Sequence, residues 1–244
     1  MRNFSFFFGI LFEMSVRKRI AMSEYMKDLG DLTLLKESSR GNPKALMELM
    51  RRHIEIVALT SYRILCDHDE SVRVVRKVFM GLWKKSLDYD YSVDIRNWLL
   101  VRTVAQSKKR LWKIRLAAVF GVHPSLFAQS APVVEDVDDY ITTQAWEVFC
   151  RASLGMRPLQ RVVYAVRELD SLPVNVSELV TGLGSRRLRH LLGQARKRMK
   201  AELARFGKVA EYAPYVTFLK NVRDRLIDYD GLKEEILYLC TKMH

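Results

Sequence analysis

The sequence predicts an all-α protein: two small helical domains, the second resembling a helix-turn-helix, followed by a C-terminal helical extension. Three observations carry this expectation. Leu, Val, Met, Arg and Lys are abundant, whereas only 11 Gly and 6 Pro occur in 244 residues. Apolar residues recur at three- and four-residue spacings in most segments. The Gly and Pro that are present fall between those segments, where helices start and stop.

Residues 1–30 read as an N-terminal appendage. The apolar run Phe4–Phe12 is about nine residues long, against roughly 20 for a membrane span. Its cations, Arg17-Lys18-Arg19, follow the run, whereas a secretion signal carries them ahead of it. A cytoplasmic chain without membrane insertion is expected. Met14 and Met22 are alternative starts.

Residues 31–120 form the first predicted domain. A short helix opens at Asp31 and stops at Arg40-Gly41-Asn42-Pro43. Asn42 then caps a second helix with Pro43 in its first turn, and Leu46, Leu49, Met50, Ile54 and Val57 form its apolar face up to Leu65. Ser71–Lys85 is the clearest amphipathic stretch. Val75, Phe79 and Leu82 share a side, Val74, Val78 and Trp83 widen it, and Ser71 or Asp69 is the expected cap. After the connector Ser86–Ser92, a fourth helix from near Val93 turns Ile95, Trp98 and Leu99 inward. Its far end is cationic: Arg102, Lys108, Lys109, Arg110, Lys113 and Arg115. Trp98 reads as core. Trp112, surrounded by cations, fits either a core or a surface on which bases stack.

Residues 121–143 read as an acidic linker. Pro124 and Pro132 bracket a poor helix former, and no Lys or Arg occurs between 121 and 150. Residues 144–206 make the second domain, with 12 basic residues between 151 and 206 against four acidic ones. Helices are expected over Gln144–Leu154, from Pro158 to Leu169, and from Ser177 as an N-cap. Gly182 and Gly184 mark a turn. From Ser185 a basic helix places Leu188, Leu191, Leu192, Ala195, Met199 and Leu203 on one side. Two short helices, a glycine turn and an Arg-rich helix form the pattern that enters a DNA major groove. In residues 207–244, Tyr215, Phe218, Leu219, Val222 and Leu226 suggest one helix, and Leu232, Ile236 and Leu239 another after Asp230-Gly231. A hairpin packed on the second domain is the plainer reading of this tail, with a partner site as the alternative.

A net charge of +13, from 41 Lys and Arg against 28 Asp and Glu, favours a nucleic-acid or acidic partner. Cys66, Cys150 and Cys240 are too far apart for a metal motif and read as small buried hydrophobes in a reducing compartment. His53 and His68 lack ligand spacing, and Gly182-Leu-Gly184 lacks the phosphate-loop pattern. No nucleophile–base set or acid pair emerges, so neither an enzyme nor a cofactor is expected.

The order of these segments resembles the extracytoplasmic-function group of bacterial sigma factors over roughly Asp31–Leu203. DLTLLKESSRGNPKALMELMRRH is similar to their opening two helices, VVRKVFMGLWKK to their central helix, and NWLLVRT to the start of their promoter-melting helix. PLQRVVYAVRELDSL, VSELV and LRHLLGQARKRMKAEL are similar to their second domain. The resemblance implies a subunit that binds core RNA polymerase and promoter DNA to direct transcription initiation, with an anti-sigma protein as a further partner. It implies polymerase contacts through Arg73, Arg76 and Lys77, with Trp98 supporting the melting helix. Arg102, Lys108, Lys109, Arg110 and Trp112 would approach the minus-ten strand. Arg186, Arg187, Arg189 and His190 would face the minus-thirty-five duplex, backed by Arg196 and Lys197.

The chain also departs from that group. Arg73 and Arg76 stand where the family has an acid and a glutamine, Lys77 where an acid is frequent, and Ala105 and Lys109 where it has Asn and Asp. The turn between Gly184 and Leu188 is about two residues short. These differences mark a divergent member. They leave open a sigma-like DNA- or protein-binding regulator that has lost initiation activity.

Overall fold

The computed structural model describes residues 25–85, 93–119, 137–205, 212–222 and 228–242. The run Phe4–Phe12 with Arg17–Arg19, the connector Ser86–Ser92, Pro124, Pro132 and Leu226 lie outside the described residues. Every regular element among those described is helical: α1 Asp31–Ser39, α2 Pro43–Leu65, α3 His68–Lys85, α4 Ile95–Val119, α5 Val137–Leu154, α6 Pro158–Tyr164, α7 Val174–Thr181, α8 Ser185–Arg205, α9 Tyr212–Asn221 and α10 Tyr229–Thr241. The all-α class is what the sequence predicts.

Several boundaries follow the caps. The Asn42 side chain accepts from the Lys44 N–H at 3.1 Å, with Pro43 in the first turn of α2. Four starts come earlier than the sequence reading places them. α3 begins at His68 because Asp67, not Asp69 or Ser71, accepts the Glu70 N–H at 2.9 Å. α5 begins at Val137, so the end of the acidic linker is helical; an acidic stretch suits a helix start, where peptide dipoles favour negative charge. Pro173 sets the start of α7, and Ser177 lies inside that helix, its hydroxyl donating to the Pro173 carbonyl at 2.8 Å. Asp228 caps α10 by accepting from the N–H groups of Asp230 and Gly231, so both residues belong to the helix.

Two apolar cores meet along α6. The first gathers α1 to α4 around Leu46, Phe79, Leu82 and Leu99, and reaches back to Met26. The second gathers α5, α8 and α9 around Trp146, Phe149, Ala195 and Leu219. α6 and the π-helical turn that continues it, Ala165–Leu169, feed both. Val162, Ala165 and Val166 enter the first core, while Val163, Tyr164 and Leu169 enter the second. The wider π turn continues this two-sided burial up to Asp170, whose N–H reaches the Ala165 carbonyl at 2.8 Å.

The tail does not form a hairpin on the second block. α9 packs on α5 and the π turn, whereas α10 packs on α2 and α3. Leu232, Ile236 and Cys240 of α10 enter the first core. Hydrophobic matching explains the split, because each tail helix carries its own apolar stripe to a different core.

Candidate nucleic-acid interface

A three-residue turn joins α7 to α8. Gly182 takes φ +70°, a left-handed conformation that glycine adopts at little cost, and its N–H closes α7 on the Glu178 carbonyl at 2.8 Å. The Thr181 hydroxyl accepts the Leu183 N–H at 3.3 Å and tightens the same turn. α8 is seated by Leu188, Leu192, Ala195, Met199 and Leu203, all buried. That spacing forces Arg186, Arg187, Arg189, His190 and Lys197 outward, and all five are exposed.

Arg186, Arg187 and His190 share a shallow depression with Glu178, Gly184 and Ser185. A hydrogen-bond chain orients the histidine. The Arg157 N–H donates to Gln160 Oε1 at 2.7 Å, Gln160 Nε2 donates to Gln194 Oε1 at 2.6 Å, and Gln194 Nε2 lies 2.8 Å from His190 Nε2. Each amide is thereby fixed in turn, so His190 Nε2 accepts and Nδ1 carries the proton, ready to donate. Arg196 is used differently. It donates to Glu168 Oε2 at 2.6 Å, and Glu168 also accepts from Tyr212. The Glu168 hydrogen bond raises the guanidinium further above its usual value.

A second cationic stripe runs along α4. Ile95, Leu99, Val104, Leu111 and Ile114 are buried, leaving Arg102, Lys109 and Lys113 exposed. Trp98 is core, at 8% exposure, and the Arg102 guanidinium lies 4.9 Å above its ring. Trp112 is 55% exposed and so is not a core residue. Lys108 is half-buried, and Arg110 forms a bidentate pair with Glu70 of α3.

On α3, Arg73 and Lys77 are exposed, and Arg73 lies 3.4 Å from Glu70. Arg76 is half-buried under α10, with Nη2 donating to Glu235 Oε2 at 2.7 Å. The fold thus gathers Arg186, Arg187 and His190, and aligns Arg102, Lys109 and Trp112 elsewhere. It draws Arg76, Arg110 and Arg196 into pairs with Glu235, Glu70 and Glu168. Those acids are distant in sequence from their cations and carry no local spacing signal, so sequence reasoning missed them.

Among the described residues, no group of three or more His, Cys, Asp or Glu could hold a metal ion, and no helix is long and apolar enough to cross a membrane. No protein-family model matches the chain, and no curated protein matches it.

Proposed function

We propose that the chain is a divergent sigma-type subunit that binds core RNA polymerase and promoter DNA in the cytoplasm and directs transcription initiation. One observation carries the reading. The α7–turn–α8 unit presents Arg186, Arg187, Arg189 and His190 at the start of its second helix, and none of the three arginines pairs with an acid among the described residues. An arginine fork there suits guanine edges in a major groove, and its neighbours suit phosphates. Exposed Trp112 with Arg102 and Lys109 gives α4 a stacking ring beside cations, the chemistry of single-strand recognition. The proposal assigns catalysis to the polymerase and none to this chain.

A second reading is a sigma-like DNA- or protein-binding regulator without initiation activity. It is favoured by the contacts of α7 with α4 and of α10 with α3, which bring the helices assigned to promoter and polymerase against other parts of the chain. Reconstituted transcription with core polymerase on a promoter-fragment library separates the two. Transcripts that depend on the chain support initiation. Duplex binding without transcripts favours the regulator, and the absence of both overturns the assignment to promoter DNA.

A further inference from the structure

The hydrogen-bond relay that ends on His190 starts on a group that can only donate. The Arg157 N–H, at the N-cap of α6, reaches Gln160 Oε1 at 2.7 Å. An amide that accepts through its oxygen donates through its nitrogen, so Gln160 Nε2 faces Gln194 Oε1 at 2.6 Å. By the same rule Gln194 Nε2 faces His190 Nε2, at 2.8 Å. Every bond in the series therefore has one allowed direction. The last one makes His190 Nε2 an acceptor and leaves the ring proton on Nδ1.

The two ends of the relay differ in exposure. Gln160 is buried where α6 packs on α8. His190 is exposed and shares the depression with Arg186 and Arg187. Among the described residues its Nδ1 has no hydrogen-bond partner, so that donor is left for a group from outside the chain.

We infer, on the reading of α8 as a duplex-binding helix, that Gln160 is a positioning residue for sequence recognition: it holds His190 as a neutral donor and so directs α8 towards base edges that accept. In the major groove guanine, adenine and thymine each offer an acceptor at N7, O6 or O4, whereas cytosine offers its N4 amino donor. An unrestrained histidine presents either a donor or an acceptor, because its two neutral tautomers interconvert. The relay removes that choice, and with it the ability to accept from cytosine. His190 therefore discriminates against cytosine at one position of the duplex, by about tenfold for a single bond of this kind.

Two substitutions reverse the relay by different routes. In Gln160→Glu one carboxylate oxygen still accepts from the Arg157 N–H, but the other can only accept as well, so Gln194 must turn its amide to donate to it. Gln194 Oε1 then faces His190 Nε2, which has to carry the proton, and Nδ1 becomes the acceptor. Gln194→Glu leaves the start of α6 untouched. Its carboxylate accepts from Gln160 Nε2 on one side and from a protonated His190 Nε2 on the other. Both variants keep His190 in place and invert what it offers to a base.

The full chain at about pH 8, where neutral histidine predominates, provides the test. Nitrogen NMR reads the tautomer, and selection from a pool of randomised DNA duplexes reads the base preference. His190→Ala identifies both the ring signal and the base position that depend on this side chain. The wild-type ring is expected to carry its proton on Nδ1, and the wild-type chain to disfavour cytosine about tenfold at that position. Both glutamate variants are expected to carry the proton on Nε2 and to enrich cytosine there, with the other positions unchanged. A wild-type ring protonated on Nε2, or a preference that is the same in the wild type and in either folded variant, overturns the inference. A wild-type chain that binds no duplex overturns the DNA reading and this inference together, whereas binding with an unmoved preference overturns the inference alone. Gln194→Glu decides the matter where Gln160→Glu does not fold.

Discussion

Arg63 of α2 donates to Asp170 at the end of the π turn over 2.6 Å, with side chains only 4% and 1% exposed. Thr60 Oγ1 donates to the other carboxylate oxygen at 2.9 Å, and Arg63 Nη2 reaches the Lys220 carbonyl of α9 at 2.5 Å. One ion pair therefore ties α2, the π turn and α9 together. Burial raises the Asp170 carboxyl, and the Arg63 guanidinium works against that rise. Removing one partner strands a buried charge. Asp170→Ala is expected to cost about 3–5 kcal/mol, read by denaturant unfolding. A loss below about 1 kcal/mol, the scale of an exposed pair, would show that water reaches the site.

The outward cations of α8 give a prediction about affinity. Arg186→Ala with Arg189→Ala removes two exposed side chains, so the fold is expected to persist. Duplex DNA binding weakens, and the slope of log affinity against log salt falls by about two if both arginines meet phosphates. An unchanged affinity across the salt titration counts against this surface.

The contact between α10 and α3 separates polar from apolar contributions. Arg76 and Glu235 are 35% and 43% exposed, so Glu235→Ala is expected to change stability by less than about 1 kcal/mol. Ile236 is fully buried, and Ile236→Ala is expected to cost about 2–5 kcal/mol. Thermal melts of the two variants check the ordering. The reverse order would mean that the ion pair, not the apolar stripe, holds the tail helix down.

Tyr164, Tyr212 and Tyr215 set an alkaline limit. Burial raises all three phenols, Tyr212 to about 12. Their folded values lie above the unfolded value of about 10, so their contribution is complete below that value. It is lost as pH rises through the folded values, because only the unfolded chain releases those protons early. Stability is expected to fall between about pH 10 and about pH 12. Tyrosinate absorbance should rise together with loss of helix. Early ionisation of every tyrosine in a chain that stays folded would contradict the burial.

The helical class was legible because apolar spacing is local. Leu188, Leu192, Ala195, Met199 and Leu203 lie on one side of α8 both in the spacing and in the fold. The stripe of Ser71–Lys85 was equally plain, and Val75, Phe79 and Leu82 are fully buried. The role of α6 was not. Its sequence shows one apolar stripe, yet Arg161 and Gln160 are buried beside it because the helix lies between two cores. An arginine that will be buried looks like a surface arginine until its partners are known. Arg63, Arg76, Arg110 and Arg196 all meet acids or carbonyls far along the chain, and only the fold brings them together. At the candidate interface, the outward set Arg186, Arg187, Arg189 and His190 could be read from spacing. The relay from Gln160 to His190 could not, since it crosses from α6 to α8.

Co-purification of the full chain with core RNA polymerase is the most direct test of the proposed role. A stable complex is expected, with an affinity that changes when Arg73 and Arg76 on α3 are replaced by Asp and Gln. Failure of the folded chain to associate with the core enzyme at any salt concentration would contradict the assignment to initiation.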